Sequence, residues 1–153
     1  MKSLANIYHD SEISRNVQSL MPGEYGVAKN QGVLMTVLGS CVSVFLADVD
    51  LKIGGLNHFM LPDLPLSMNK NRKKIDSLMG ENYHLKAGRY GVSSMELLIN
   101  QLLKNGARKE KLIAKVFGGA KVIDSTIDIG ASNVAFAFGF LTNENIPISS
   151  HCV

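Results

Sequence analysis

Short apolar runs, separated by glycines or by acidic turns, fill the chain between residues 24 and 60. Over residues 41–47, Val42, Val44 and Leu46 alternate with Ser43, Phe45 and Ala47. The turn Asp48-Val49-Asp50 follows, and this order is typical of a strand that ends in a tight turn. The next run contains Gly54-Gly55, which indicates a bulge or a close approach of two backbones. The pattern predicts strands over residues 24–29, 33–38, 41–47 and 52–60.

Apolar residues repeat at helical spacing from about residue 93 onward. Ser93, followed by Glu96 three positions later, resembles a capping box, and Asn105-Gly106 is a typical helix end. We therefore predict a helix that begins at Ser93 or Ser94. The stripe that this helix would turn toward a sheet consists of Met95, Leu98, Ile99 and Leu102.

In the remainder of the chain, the pattern predicts a strand, then a segment that fits either a strand or a helix, and then a last strand. Residues 111–117 form the strand pattern and lead into Gly118-Gly119, where the backbone can approach a neighbour closely. Residues 130–145 fit a strand by alternation of their aromatic side chains and a helix by three- and four-residue spacing. Residues 146–148 predict the last strand. Interleaved helices and strands predict an α/β layered sandwich, in which a mixed and largely antiparallel sheet is flanked by helices. If the two helices pack on different faces of the sheet, each face carries at least one helix.

Two segments lack such a pattern. Residues 1–21 predict a flexible lead-in, which leaves residues 22–153 as a single domain. Residues 62–90 predict a long loop that is functional or mobile rather than part of the core. This loop contains a cluster of basic residues. The simpler interpretation is that the cluster is a solvated part of the surface, and the alternative is that it docks on an acidic helical partner. The cluster consists of Lys70, Arg72, Lys73 and Lys74.

Composition narrows the classes of function. A chain of 153 residues with 46% hydrophobic and 19% charged residues suits one compact domain. No apolar run approaches the ~20 residues of a membrane span, and the N-terminus lacks the apolar core of a signal peptide, so we expect no direct membrane insertion. A net charge of +3 with one short basic patch argues against nucleic-acid binding. Two cysteines far apart in the chain fit a reducing, cytoplasmic compartment.

Cys41 and His58 are the candidate reactive groups. Cys41 follows Gly39-Ser40 at the start of one predicted strand, and His58 lies near the end of the next, so both could reach one end of a sheet. An imidazole can take the proton of a thiol nucleophile and return it to a leaving amine, while N–H groups of the glycine turn hold an oxyanion. The simpler interpretation, which spacing alone favours, is a cysteine and a histidine that only pack. The other histidines, which we interpret as surface residues, are His9, His84 and His151.

Three motifs occur in order along the chain. They are Leu38-Gly39-Ser40-Cys41-Val42, the run GGLNHFMLP over residues 54–62 and the run KVFGGA over residues 115–120, with a weaker match over residues 129–133. Together they resemble the CheD family, the chemoreceptor glutamine deamidases of chemotaxis. The resemblance extends over about residues 22–150. It favours a helix for residues 130–145.

The resemblance implies a reaction and the residues that perform it. Members of this family convert glutamine side chains of methyl-accepting chemotaxis proteins to glutamate, with release of ammonia through a cysteine thioester and without a metal or an organic cofactor. Cys41 would be the nucleophile, His58 its base and Thr36 the third catalytic member, since Thr36 is the only threonine in the run before the cysteine. A β-branched residue that fills a strand position is the alternative for Thr36. The candidates for holding substrate or oxyanion are Gly39, Ser40, Gly118 and Gly119.

Partners and chain length follow from the same resemblance. Family members usually continue with a glycine-rich, arginine-containing segment and a final strand pair, which implies a domain shortened at its C-terminus. They can also bind a CheC-type phosphatase, so a regulatory binding module with little catalysis is the alternative function. A third possibility is a cysteine amidohydrolase that acts on a small-molecule amide.

Overall fold

The computed structural model describes residues 6–62, 90–122 and 128–153. Within these ranges the chain forms eight strands and two α-helices, with a 3-10 turn at Lys109–Lys111. In chain order the elements are β1 (Asn6–Asp10), β2 (Arg15–Ser19), β3 (Tyr25–Lys29), β4 (Val33–Met35), β5 (Val42–Asp48), β6 (Ile53–Asn57), α1 (Gly91–Lys104), β7 (Leu112–Gly118), α2 (Ile129–Asn143) and β8 (Ile148–Cys152).

The strands form two sheets. Five strands lie in the order β3-β6-β5-β7-β8, and every neighbouring pair is antiparallel except β7 with β8. A smaller sheet has the order β1-β2-β4, with β1 antiparallel and β4 parallel to β2. The structure therefore confirms an α/β sandwich with a mixed, largely antiparallel sheet.

One face of the five-stranded sheet is packed against the helices. Alternate residues of β5 point into this core, and Val42, Val44 and Leu46 are all fully buried. Helix α1 packs on β3 and β6, helix α2 packs on β5 and β7, and the two helices contact each other, so both lie on the same face. The four residues of the predicted stripe of α1 are all buried, as predicted. Burial of each such side chain contributes about 1.5–3 kcal/mol.

An ion pair fixes the end of β5 that lies away from Cys41. The carboxylate of Asp48 is fully buried and accepts hydrogen bonds from Nε and Nη2 of Arg108, each at 2.8 Å. Nη2 also donates to the exposed carboxylate of Asp50 at 2.8 Å. The hydrogen-bonded Arg108 guanidinium holds the pKa of Asp48 well below its usual range, so the pair stays charged.

The described part of residues 1–21, which the sequence predicts as a flexible lead-in, contains two strands. Strands β1 and β2 form an antiparallel pair there, and β2 also pairs with β4. These strands are short and mostly exposed, so they lack the alternation that predicts a strand, and only Val17 and Leu20 are buried. Backbone pairing with a segment more than ten residues away stabilises them instead.

Several element bounds also differ from the predictions. Helix α1 begins at Gly91 with Tyr90 as its N-cap, so Ser93 is a buried helical residue and caps nothing. The strand predicted over residues 33–38 ends at Met35, and the last strand is β8 rather than residues 146–148. The ambiguous segment is helix α2, as the resemblance favours. Residues 63–89, which include the basic cluster and His84, lie outside the described residues.

Candidate functional site

The side chains of Thr36 and His58 are hydrogen-bonded to each other. Oγ1 of Thr36 lies 2.7 Å from Nδ1 of His58 and 2.8 Å from the carbonyl oxygen of Leu20. A carbonyl can only accept, so the single hydroxyl proton of Thr36 goes to Leu20. The hydroxyl oxygen must then accept a proton from Nδ1–H of His58. This arrangement fixes the tautomer of the neutral imidazole and leaves Nε2 with its lone pair.

The backbone of His58 is held by the segment just before β3. Its N–H donates to the carbonyl of Glu24 at 2.9 Å, and its carbonyl accepts from the N–H of Gly23 at 2.7 Å. The residue is only 2% exposed, and Nε2 has no hydrogen-bond partner among the described residues. A buried imidazole with one nitrogen fixed and the other unengaged is suited to act as a proton acceptor.

Backbone pairing brings together the segments that contain Cys41 and His58. Val42 and Phe59 exchange two backbone hydrogen bonds, at 3.1 and 3.0 Å, in continuation of the register that pairs Phe45 with Leu56. Cys41 and His58 each adjoin a member of the Val42–Phe59 pair, so this pairing places both residues at the same end of the sheet. Val42 and Phe59 belong to the core beneath the helices, whereas His58 contacts Thr36, which lines the opposite face.

Burial shifts both groups toward their neutral forms. It raises the pKa of the Cys41 thiol, an effect that the backbone N–H of Cys41 itself partly offsets. It lowers the pKa of His58, since no negative charge compensates for the desolvation of the imidazolium. At neutral pH the pair is therefore a thiol and an imidazole rather than a thiolate–imidazolium ion pair. Such a pair needs the histidine as a general base to form the nucleophile.

The loop before Cys41 is held by its carbonyl groups. The carbonyls of Gly39 and Cys41 accept hydrogen bonds from the N–H groups of Ala120 and Gly119, at 3.0 and 2.9 Å. Gly118 has a φ of 96°, and a Cβ added there would overlap the carbonyl oxygen of Cys41. The structure thus brings the four predicted substrate or oxyanion candidates around Cys41.

The orientation of these peptide groups leaves donors available. Among the described residues, the backbone N–H groups of Gly39, Ser40 and Cys41 donate to no carbonyl. Their carbonyls are all engaged on the other side. N–H groups of Gly39 to Cys41 are therefore better placed as oxyanion donors than those of Gly118 and Gly119, because the Gly119 N–H is already bonded to Cys41.

Asn133 also contacts the site and was not predicted from the sequence. Its Nδ2 donates to the carbonyls of Ser40 and Met60, at 3.1 and 2.9 Å. The residue is fully buried and lies on the inner face of α2 together with Gly130 and Ala137. A polar side chain in the buried stripe of a helix is the signal that could have identified it.

A groove of about 810 Å³ runs along the sheet face that the helices do not cover. Thr36 and Ser43 contribute to its lining, whereas Cys41 and His58 do not, so the groove adjoins the pair through Thr36.

In the described ranges no three His, Cys, Asp or Glu residues come together as possible metal ligands. Neither of the described helices is both long and apolar enough to cross a membrane. His9 and His151 are exposed, as predicted.

Known proteins resemble this chain over most of its length. A family model described as "CheD chemotactic sensory transduction" matches residues 60–153. A probable chemoreceptor glutamine deamidase CheD of Ralstonia pickettii is 44% identical over 94% of this chain and 56% of its own length. A Shewanella oneidensis protein of that description, CheD 1, is 42% identical over 94% of this chain and 65% of its own.

A third relative is matched over a larger share of its length. The probable chemoreceptor glutamine deamidase CheD of Caulobacter vibrioides is 43% identical over 96% of this chain and 72% of its own length. The chain thus spans a little over half of the Ralstonia relative and nearly three quarters of the Caulobacter one. With a family model that covers more than half of the chain and a relative of this identity and coverage, the chain belongs to the CheD family.

Proposed function

We propose that this chain deamidates glutamine side chains of methyl-accepting chemotaxis proteins, with Cys41 as nucleophile, His58 as general base and acid, and Thr36 as the residue that orients the imidazole. The observation that carries the proposal is the fixed tautomer of His58, whose Nδ1–H is held by Thr36 while Nε2 is unengaged. The names of the relatives, which describe probable chemoreceptor glutamine deamidases, point to the same reaction.

The proposed reaction proceeds in two halves. Nε2 of His58 takes the thiol proton as Sγ of Cys41 attacks the amide carbon, and N–H groups of the Gly39-Ser40-Cys41 loop stabilise the oxyanion. The C–N bond breaks as the imidazolium gives its proton to the departing ammonia, which leaves a thioester. Water then attacks the thioester carbon while His58 takes its proton. The C–S bond breaks, and the products are glutamate and the regenerated thiol.

The surface around the site supports a protein substrate over free glutamine. Met21, Val37 and Met60 are exposed, and they adjoin in sequence the residues Leu20, Thr36 and Phe59, which belong to the hydrogen-bonded segments around His58 and Cys41. Exposed apolar side chains around a reactive group are typical of a surface that binds another protein. Since the receptor domain that carries such glutamines lies in the cytoplasm, we propose a cytoplasmic location for this chain.

The test uses both cysteines of the chain. A purified cytoplasmic fragment of a methyl-accepting chemotaxis protein is incubated with the wild type, Cys41→Ala and Cys152→Ala, and ammonia and peptide masses are measured. We expect a gain of about one mass unit at specific glutamines with the wild type and with Cys152→Ala, because Cys152 is exposed and distant in sequence from the site. Conversion by Cys41→Ala, or none by a folded wild type, would overturn the proposal.

Binding of a CheC-type phosphatase is a separate proposal that rests on the family resemblance. If the chain is chiefly a regulatory module, Cys41→Ala should keep that binding while any deamidation is lost. Co-elution of the wild type and of Cys41→Ala with such a phosphatase in size-exclusion chromatography tests this. Absence of co-elution for both proteins would reject the binding module.

A further inference from the structure

Asn133 links the two backbone segments that carry the reactive pair. One of its acceptors, the carbonyl of Ser40, immediately precedes Cys41, and the other, the carbonyl of Met60, follows His58 by two residues. Both protons of one amide group are therefore used to hold the two carbonyls at a fixed separation. Each bond alone is an ordinary hydrogen bond, but together they couple the position of the nucleophile to that of its base.

The loop before Cys41 depends on Asn133 for one of its three anchors. The carbonyls of Gly39, Ser40 and Cys41 each accept one hydrogen bond from another segment. Two of these donors are backbone N–H groups, which only a substitution to proline would remove. The bond to Ser40 comes from a side chain, so it is the anchor that a single substitution can remove without changing the backbone.

The orientation of the Asn133 amide follows from its partners. Both acceptors are carbonyl oxygens, so an oxygen in the position of Nδ2 would face two other oxygens. Oδ1 is buried and has no hydrogen-bond partner among the described residues. The two donors thus account for the polar contacts of this side chain. Aspartate has nearly the same shape but offers no donor when ionised and one donor when protonated, so Asn133→Asp removes at least one of the two bonds with little change in packing volume.

We propose that Asn133 is a positioning residue that sets the distance between Cys41 and His58 by holding the carbonyls of Ser40 and Met60. The proposal rests on the function proposed above for the Cys41–His58 pair. It assigns to helix α2 a role beyond covering the sheet, since the same helix that buries the core also fixes the reactive loop.

Two readouts separate positioning from a merely structural role. We expect Asn133→Asp to lower kcat for deamidation about 10–100-fold while KM changes less than about twofold, because a displacement near 1 Å of reacting groups costs rates of that order.

In a Cys152→Ala background Cys41 is the only thiol, and its alkylation by iodoacetamide is followed against pH. Release of the loop admits water, so the midpoint of alkylation should move down toward that of an unburied thiol, whereas a carboxylate at residue 133 that acted only through its charge would move it up.

Ala137→Gly is the matched control. Ala137 is fully buried one turn farther along the same face of α2, so its substitution weakens the helix without touching the loop carbonyls. We expect it to lower Tm while it leaves kcat and the alkylation midpoint at their wild-type values. If Asn133→Asp does not fold, Asn133→Ser is measured instead, and its one remaining donor should give an intermediate loss of kcat.

The two proposals can fail separately. Equal kcat and alkylation profiles for Asn133→Asp and Ala137→Gly would overturn the positioning role. The alkylation arm needs no receptor, so it still tests Asn133 if the wild type converts no glutamine. In that case a midpoint shifted down for Asn133→Asp would support positioning and reject only the deamidase assignment, whereas an upward shift would overturn the positioning role.

Discussion

Replacement of Thr36 by valine should disable the imidazole while preserving the shape of the site. The hydroxyl of Thr36 donates to Leu20 and accepts from Nδ1–H of His58, and valine replaces it with a methyl group of similar volume. The substitution leaves a buried N–H without its acceptor and a carbonyl without its donor. The free energy of unfolding should fall by about 1–3 kcal/mol as a result.

In the proposed reaction, the effect on the rate follows from the charge that His58 acquires. When Nε2 takes the proton of Cys41, Nδ1–H becomes a charged donor, and a hydrogen bond to a charged group is worth about 1.5–3 kcal/mol. Loss of this bond raises the barrier by a similar amount, and each ~1.4 kcal/mol is a factor of ten in rate. We therefore expect kcat for ammonia release to fall about 10–100-fold, with a small change in KM.

The matched variant is Thr36→Ser, which retains the hydroxyl and loses only the methyl group. Steady-state ammonia release from a receptor fragment is measured for both variants, and denaturant titration provides the stability. Thr36→Ser should stay within about fivefold of the wild type, since its oxygen can still accept from His58. Wild-type kcat in Thr36→Val, or an equal loss in both variants, would refute the reasoning from the hydroxyl.

Three further predictions concern the protonation and geometry of the same site. Because burial raises the pKa of Cys41, its alkylation in a Cys152→Ala background should keep rising with pH beyond the pKa of an ordinary thiol; a midpoint below pH 7 would indicate a standing ion pair instead. His58 is buried in its neutral form and its pKa is lowered from 6.5, so the unfolded state binds the proton more readily and the free energy of unfolding should decrease as the pH falls below about 6.5. His58→Gln should flatten this dependence in denaturant titrations between pH 7 and 5, and an unchanged slope would contradict it. Gly118→Ala should cost about 1–3 kcal/mol from its φ of 96° alone and should also displace the Cys41 carbonyl, whereas Gly139→Ala, where an added Cβ meets nothing, should be neutral or stabilising. Equal stabilities of the two alanine variants would contradict the close packing at Gly118.

The candidate pair Cys41 and His58 could be selected from the sequence because its context is local. The glycine turn before Cys41 and the run around His58 are contiguous in sequence, and strands joined by one turn place their residues in a register that short patterns constrain. Prediction of Thr36 needed more, because it was assigned to a strand that in the structure ends at Met35. Beyond that end the alternation of faces no longer applies, and the bond to Leu20 sets the direction of the hydroxyl.

Other features depend on contacts that no local pattern records. Strands β1 and β2 are stabilised by pairing with each other and with β4 rather than by an apolar face of their own. Strand β8 is mostly polar and exposed, and its partner β7 lies some thirty residues earlier in the chain. Helix α1 begins at Gly91, before the capping-box pattern at Ser93, and a Cβ added at Gly91 would overlap the ring of Phe136 in α2. Tertiary packing decided these bounds.

The proposed reactive pair, Cys41 and His58, is held from both sides of the sheet. On the helix side, Val42 and Phe59 are fully buried and their paired backbone bonds fix the register, while Asn133 anchors the adjacent carbonyls. On the other side, Thr36 fixes the imidazole of His58. Because burial keeps the thiol and the imidazole neutral, no charge attraction draws them together before a substrate arrives. Their separation must therefore be set by the scaffold, which is why loss of a single anchor should reduce the rate more than it reduces stability.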